Sequence, residues 1–411
     1  MFRLLLVIIV GLAFTGCVWI DEQPQGKDSN PELRRIMDAD SIYLDLDKDR
    51  IKHQQQKLDN LFQDLQKKNG FNGTVLFAEK GRVVFEKAYG YADVIKRKEP
   101  LSTDSRFELA SVSKMFTAMA VMILQEKGKL GYDDDIRKHI PEWPYEGITI
   151  RQLLNHRSGI PRYESLADEK WPDKRLAVTN KTMIELFVRH RPMVYFKPNN
   201  GFHYCNTNYA LLATIVERAS GKEFASFMHD YVFHPLGMNN SFILHVPDDT
   251  LLTTYIEQKV VPGHDARGRG LVRVKNNFLN GVKGDKIMYS TVSDLYQFDK
   301  ALKYEWLIKK ETLAEAFKPG SPTHRGRKDN YGFGWRIRGQ ADSTVYHYGW
   351  WKGFRTFYLR DMQNEKTLIV LTNKDRGPGS ESFWNILEDP SFSLYPASVN
   401  FRYREDNGLP Y

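Results

Sequence analysis

The sequence predicts an α+β fold in which one antiparallel sheet takes strands from both ends of the chain. Two strand-like runs, GTVLFAEK and RVVFEKAYGYAD, precede a mainly helical stretch from about residue 130 to about residue 300. Strand patterns return in YGFGWRIR, STVYHYGW, FRTFYLRD and KTLIVLTN. Strands on both sides of a helical block can share one sheet if the helical region is inserted between them. We therefore expect an α/β sandwich with an inserted all-α region and a cleft at the junction.

Individual helices are indicated by short local signals. An apolar stripe at helical spacing over residues 58–65 predicts a first amphipathic helix. Thr149 and Thr291, each followed three residues later by Gln or Asp, are typical of capping boxes that open helices. Gly221 is placed to end a helix, and a short helix is expected near residues 383–387.

The stretch Ser111-Val112-Ser113-Lys114 places an amine one helical turn from a hydroxyl. If Ser111 opens a helix, Lys114 follows at i+3, where side chains meet on one face. A serine hydroxyl needs an adjacent base to become a good nucleophile, and Lys114 can serve if burial favours its neutral form. The helix N-terminus adds partial positive charge where an oxyanion would develop. The ordinary alternative is an N-cap serine beside a surface lysine.

A second candidate segment is Tyr204-Cys205-Asn206. In an extended segment Tyr204 and Asn206 point the same way. The phenol could then pass protons between Ser111 and a leaving group, and the amide could bind a substrate carbonyl and orient Lys114. Cys205 is expected to be a small buried thiol, and Tyr204 could equally be a core tyrosine.

A third candidate segment, His347-Tyr348-Gly349, lies in a strand pattern. Gly349 has no side chain, so a substrate backbone could approach closely there. The N–H of Trp350 could pair with the N–H of Ser111 as an oxyanion hole. The alternative is that His347 is an ordinary strand histidine.

In this order the three segments resemble the motifs of the penicillin-recognising serine hydrolases, which include serine β-lactamases, D-alanyl-D-alanine peptidases and esterases of the same fold. Segments such as FELASVSKMFTAMA, ITIRQLLNHRSGI and IMYSTVSDLYQF also look like family segments, and the likeness runs from about residue 70 to about residue 375. It looks closest to the class C and low-molecular-weight peptidase branch. His347 departs from the β-lactamases of that branch, which have lysine there, whereas H-x-G occurs in peptidase and esterase members.

The resemblance implies a β-lactamase/transpeptidase-like fold and acyl transfer through Ser111. Lys114 and Tyr204 would handle the proton, the N–H groups of Ser111 and Trp350 would hold the oxyanion, and Asn206 would position the acyl chain. No choice between Lys114 and Tyr204 as the base follows from the sequence, because the pair would titrate together.

The resemblance also implies the substrate class. His347, at the position of the family's cation, would recognise a substrate carboxylate if it were charged. His156, in LLNHRSGI, looks structural rather than catalytic. We expect a small peptide or ester substrate, with D-amino-acid peptides first and esters second. A tethered binding module for cell-wall peptides, without turnover, is the alternative from another class.

The first 50 residues are typical of an export signal and a tether. MFRLLLVIIVGLAFTGC has one early positive charge, an apolar run too short for a comfortable membrane span, and small residues before Cys17. Residues 14–17 resemble a bacterial lipoprotein cleavage box, so residues 1–17 are expected to be a signal peptide with lipidation at Cys17. Ordinary cleavage or an uncleaved anchor are the alternatives. The protein is then exported and lipid-anchored to the bacterial cell envelope.

The remaining boundaries follow from composition. Residues 18–50 are polar and are predicted to form a tether. Residues 51–395 are predicted to form the catalytic domain, and residues 396–411 a C-terminal tail.

The net charge is +8, but the basic residues are spread along the chain with acidic residues between them, which favours a solvated surface. No nucleic-acid motif is present in the sequence. HExxH is absent, so neither a metal nor a cofactor is expected. With Cys17 lipidated, Cys205 has no partner for a disulfide.

Overall fold

The computed structural model describes residues 48–246, 260–320, 330–338 and 343–395. The predicted signal peptide with Cys17, nearly all of the predicted tether and the C-terminal tail lie outside the described residues, so lipid anchoring stays a prediction. Within the described ranges, no helix is both long and apolar enough to cross a membrane.

A six-stranded antiparallel sheet joins the two ends of the chain, as the sequence predicts. Its order in space is β10 (Arg336–Arg338), β11 (Thr344–Trp351), β12 (Phe354–Asp361), β13 (Lys366–Thr372), β1 (Gly73–Glu79) and β2 (Arg82–Tyr89). The pairing of β1 with β13 brings the N-terminal hairpin against the last strand. Every residue of these two strands is buried, because both faces of the sheet are covered.

One face of the sheet is covered by helices from the two ends of the described chain. α1 (Lys48–Asn69) and α10 (Ser380–Glu388) share an apolar cluster with the sheet, in which Phe62 and Phe383 stack. The segment after α10 is tied down through Glu79, whose carboxylate accepts the N–H of Leu394 at 2.6 Å. Residues 380–395 therefore complete this outer layer, and α1 begins three residues before the predicted domain boundary.

The other face is covered by the inserted region, which is mainly helical but not all-α. The helix α2 (Ser113–Glu126) precedes this region. The described helices that follow are α3 (Ile150–Leu154), α4 (Tyr163–Lys170), α5 (Asn180–His190), α6 (Asn206–Ser220), α7 (Phe224–Met228), α8 (Val292–Lys303) and α9 (Lys310–Ala316). Short strands accompany them: β3 (Tyr91–Asp93) with β4 (Lys98–Pro100), β5 (Phe107–Glu108) with β9 (Met288–Ser290) and β6 (Phe242–Ile243), and β7 (His264–Arg267) with β8 (Gly270–Arg273).

The predicted helix signals are found in the structure. Thr149 and Gln152 form a reciprocal capping box at α3, and the Thr291 side chain accepts the N–H of Asp294 at α8. Gly221 ends α6 in the left-handed conformation, with φ of +72°.

The strand predicted for YGFGWRIR is wrong over most of its length, because only Arg336–Arg338 is a strand. The alternating aromatic residues are buried, but they lie in a turn around Gly332 and Gly334. A Cβ on Gly332 would lie 2.0 Å from the Ala316 carbonyl, and Gly334 has φ of +87° beside α2. Glycines at these two places let an irregular segment pack where a regular strand would clash.

Candidate active site

Ser111 lies in a short 3₁₀ turn, Ala110–Val112, that runs directly into α2. Ala110 just before it has φ of +49°, a left-handed conformation that residues with a Cβ rarely adopt. Such strain persists only where surrounding packing imposes it, and it is common at functional sites. Here the turn presents Ser111 to a cleft at the N-terminal end of α2.

Lys114 lies directly beneath Ser111 and is fully buried. Its Nζ is 3.0 Å from the Ser111 Oγ and donates a hydrogen bond of 2.8 Å to the backbone carbonyl of Asp285. Burying an amine without hydrogen-bond partners would cost free energy, and these two contacts reduce that cost. The contact with the Ser111 Oγ is the one expected between a base and its nucleophile. The alternative of a solvated surface lysine is therefore wrong.

The carbonyl that holds Lys114 belongs to a buried polar cluster. The Asp285 carboxylate pairs with Lys286 at 3.0 Å and accepts a hydrogen bond of 3.1 Å from the Tyr163 hydroxyl. All three side chains are buried. Among its hydrogen bonds within the described chain, Lys114 makes none with Asn206, so the expectation that Asn206 orients Lys114 is wrong, and the Asp285 carbonyl does so instead.

The Tyr204 ring lies close to two basic side chains. Its centroid is 5.1 Å from the Lys114 Nζ and 5.2 Å from the guanidinium carbon of Arg336. Its hydroxyl is buried and has no hydrogen-bond partner in the part of the chain that the structure describes. The predicted extended segment ends at Cys205, and Asn206 opens α6. Tyr204 and Asn206 both line the cleft.

Asn206 is oriented by Glu164, a residue that no sequence pattern marked as functional. The Asn206 Nδ2 donates a 2.5 Å hydrogen bond to Glu164 Oε1. An ionised carboxylate only accepts hydrogen bonds, so the amide nitrogen must face Glu164 and the amide oxygen must point away.

His347 is buried on β11 and is neutral. Its Nδ1 donates a 2.8 Å hydrogen bond to the Tyr348 carbonyl, and its Nε2 accepts one of 3.0 Å from the Tyr331 hydroxyl. Burial, with Arg336 and Lys114 nearby, holds the His347 pKa well below its usual value. The expected role of His347 as a cation for a substrate carboxylate is therefore wrong.

Arg336 supplies the positive charge that His347 lacks. It opens β10, lines the cleft and lies over the rings of Tyr204 and Tyr331. No carboxylate lies within ion-pair distance of its guanidinium among residues 48–246, 260–320, 330–338 and 343–395. Arginine stays charged at all relevant pH values, so this side chain can bind a substrate carboxylate.

The cleft that collects these side chains has a volume of about 800 Å³. β10 pairs with β11 only as far as Tyr346, and the later residues of β11 border the cleft. Its lining includes these predicted residues: Ser111, Tyr204, Asn206, His347, Gly349 and Trp350. Trp350 is 73% exposed at the cleft. The oxyanion hole formed by the N–H groups of Ser111 and Trp350 stays a prediction.

The space beside Gly349 is filled by protein, not left for a substrate. A Cβ there would lie 2.1 Å from the Leu109 carbonyl and 2.1 Å from the Thr356 Oγ1, which itself donates to that carbonyl at 2.7 Å. Gly349 therefore lets β11 pack against the segment that leads to Ser111. The expected reason for this glycine, close approach of a substrate backbone, is wrong.

We expect Gly349→Ala to move the turn that carries Ser111. The clash is with backbone and with a hydrogen-bonded hydroxyl, so the substitution should cost about 1–3 kcal/mol of stability and lower kcat by at least about tenfold. Thermal unfolding and steady-state kinetics measure the two effects. The control is Gly379→Ala, since a Cβ there has no atom within 4 Å. Equal activity of the two variants would contradict this packing role.

His156 and Cys205 hold the second motif in place. The His156 Nδ1 accepts the N–H of Cys205 at 3.2 Å and is 3.1 Å from the Asn208 Nδ2, and its ring packs 4.4 Å from the ring of Tyr204. Burial raises the pKa of the Cys205 thiol to about 11, which leaves little of the nucleophilic thiolate. In the described ranges no three metal-ligating side chains are grouped together.

Comparison with known families and proteins gives one consistent result. The sequence model of the β-lactamase family matches residues 58–389. Penicillin-binding protein 4* of Bacillus subtilis (strain 168) is 37% identical over 335 residues, which are 79% of this chain and 72% of that protein. Protein flp of Staphylococcus aureus (strain MW2) is 28% identical over 334 residues, which are 78% of this chain but only 63% of flp.

Solved structures share the fold. The octameric penicillin-binding protein homologue from Pyrococcus abyssi superposes with a TM-score of 0.68 at 26% identity, covering 81% of this chain and 76% of that one. The D-amino acid amidase from Ochrobactrum anthropi SV3 superposes with a TM-score of 0.62 at 24% identity, covering 79% and 91%.

Proposed function

Because this chain belongs to the β-lactamase family and is a serine hydrolase of the penicillin-binding and β-lactamase type, we propose that it hydrolyses short D-amino-acid peptides through an acyl-enzyme at Ser111. The observation that carries the proposal is the buried Lys114, whose Nζ is 3.0 Å from the Ser111 Oγ at the edge of the cleft. Nucleophile and base are within hydrogen-bond reach, which acyl transfer requires.

Acylation begins when the Ser111 Oγ attacks the scissile carbonyl carbon. Its proton passes to the coupled pair of Lys114 and Tyr204, which acts as one proton-handling unit. The N–H groups of Ser111 and Trp350 hold the carbonyl oxygen as it becomes negative. The carbon–nitrogen bond then breaks, and the pair returns the proton to the leaving amine.

Deacylation repeats these steps with water as the nucleophile. Water attacks the ester carbonyl of the acyl-enzyme, its proton passes to the Lys114 and Tyr204 pair, and Ser111 leaves with a proton from that pair. Negative charge that develops on the Tyr204 oxygen does so near the Arg336 guanidinium, whose carbon is 5.2 Å from the centre of the Tyr204 ring.

The substrate proposal rests on Arg336. A peptide bound with its scissile carbonyl at Ser111 would place its terminal carboxylate in the cleft that Arg336 lines. A D-amino-acid peptide is supported by similarity to a penicillin-binding protein and by a fold shared with a D-amino acid amidase. An ester of the same acids is the second candidate on chemical grounds, since the same acyl-enzyme would form.

We expect the dipeptide D-Ala-D-Ala to be cleaved faster than D-Ala-D-alaninamide. Arg336→Gln should remove this preference by lowering kcat/KM for the free acid about 10- to 100-fold, the worth of a charge-assisted hydrogen bond. The preference should stay constant between about pH 5.5 and 7.5, because a guanidinium carries its charge throughout that range and the lowered pKa of His347 keeps that side chain from adding one. A cation at His347 would instead lose the preference as pH rises.

The control for this test is Arg338→Gln. Arg338 lies on the same strand but pairs with Glu388 at 3.2 Å. Loss of the preference in both variants, or in neither, would rule out Arg336 as the carboxylate site. Hydrolysis of D-alanine esters that depends on Ser111, with neither peptide cleaved, would favour the esterase alternative.

A further inference from the structure

Two hydrogen-bond acceptors at the cleft are buried and unpaired. Glu164 Oε2 and Asn206 Oδ1 have no partner in the described part of the chain, and both residues line the cleft. They are adjacent, because Glu164 Oε1 accepts the 2.5 Å hydrogen bond from Asn206 Nδ2. That hydrogen bond fixes the orientation of the Asn206 amide. Asn206 Oδ1 and Glu164 Oε2 are the two oxygens that take no part in it.

The position of these atoms calls for a donor from outside the protein. A buried acceptor without a hydrogen bond costs free energy, and a buried carboxylate oxygen costs more than a neutral one. The Tyr204 hydroxyl does not satisfy them, because it also has no partner among the described residues. A ligand that brings N–H groups would remove this cost.

Arg162 does not supply that donor. Its Nη2 is 3.7 Å from Glu164 Oε1, the oxygen already used by Asn206. Its side chain is 52% exposed, whereas that of Glu164 is 12% exposed. Exposed ion pairs of this kind are weak, so this contact leaves the Glu164 carboxylate available to a ligand.

We propose that Glu164 and Asn206 form a subsite for an ammonium group of the substrate. A carboxylate oxygen and an amide oxygen together suit an ammonium, which carries three donors and a positive charge. The preferred substrates are then amino-acyl amides and short peptides with a free amine near the scissile carbonyl. This inference rests on the proposed hydrolysis at Ser111 and names a feature of its substrate.

Binding to the Ser111→Ala variant tests the subsite without turnover. Calorimetry at neutral pH compares D-alaninamide with N-acetyl-D-alaninamide, which differ in the α-ammonium. A second pair, Nα-acetyl-D-lysinamide and Nα-acetyl-D-norleucinamide, differs in a side-chain ammonium. We expect the ammonium-bearing member of one pair to bind at least about tenfold more tightly, as a charge-assisted hydrogen bond predicts. The pair that shows the difference identifies the source of the ammonium.

Glu164→Gln, added to Ser111→Ala, should abolish that preference, because it removes the charge and keeps the size of the side chain. Asp265→Asn is the matched control, since it removes one negative charge from β7 at the same cleft. The preference should persist in that control. A purely structural role of Glu164 would weaken both members of a pair equally.

Equal binding within both pairs, no binding of any of these amides at millimolar concentration, or a preference that survives Glu164→Gln would each overturn the subsite. The proposed function has a separate test, the Ser111-dependent cleavage of D-Ala-D-Ala by the otherwise unchanged protein. Cleavage with no ammonium preference in binding would refute only the subsite, and a preference without cleavage would refute only the proposed function.

Discussion

Ser111→Ala is expected to lower kcat by at least about three orders of magnitude, because the acyl-enzyme cannot form without the Oγ and only binding and oxyanion contacts remain. The fold should be unaffected, since Ser111 lies at the surface of the cleft rather than in the core. Steady-state kinetics with D-Ala-D-Ala and thermal unfolding together measure this outcome.

Ser113→Ala is the matched control for Ser111→Ala. Ser113 lies two residues further along, and its hydroxyl is buried without a hydrogen-bond partner among the described residues. Its removal should leave activity within about threefold of the unchanged protein, because no polar contact is broken. Activity that survives in Ser111→Ala, or is lost in Ser113→Ala alone, would place the nucleophile elsewhere. Retained ligand binding with no turnover in any form would favour a binding module.

Lys114→Met is expected to lower kcat by about two to four orders of magnitude, the usual contribution of a positioned acid–base group. Methionine nearly preserves the volume of the buried side chain. The Asp285 carbonyl loses its donor, which should cost no more than about 1–3 kcal/mol of stability. The loss of rate should therefore greatly exceed the loss of fold, as measured by kinetics and by denaturant unfolding.

Lys181→Met serves as the control for the chemical change, because Lys181 is an exposed residue of α5. We expect its activity to match that of the unchanged protein. If Lys114→Met retained activity, Tyr204 would be the sole proton acceptor. If Lys114→Met failed to fold, the Lys114 side chain would be needed for folding to a greater extent than its two hydrogen bonds indicate.

The features that local sequence determines were predictable. The i+3 spacing of Ser111 and Lys114, the capping box of Thr149 and the terminating Gly221 each depend on a few neighbouring residues. The shared sheet was predictable because strand-like runs stand on both sides of the helical block, so strands from both chain ends can pair once that block is inserted between them.

The contacts that complete the site were not predictable, because they join distant parts of the chain. The Asp285 carbonyl reaches Lys114 across 171 residues, and Glu164 reaches Asn206 across 42. Arg336 enters the cleft only through the pairing of β10 with β11, and nothing in YGFGWRIR shows that pairing. The charge of His347 depends on burial, which its motif does not show.

The most direct test of Ser111 as the acylated nucleophile is the intact mass of a soluble form that begins at Gln23, measured after incubation with benzylpenicillin. The β-lactam ring opens onto the attacking oxygen, so nothing leaves and the whole mass of the reagent is added. We predict one such adduct on the unchanged protein and on Ser113→Ala, and none on Ser111→Ala. An adduct that persists on Ser111→Ala, or the absence of any adduct on the unchanged protein, would contradict a penicillin-recognising site built on Ser111.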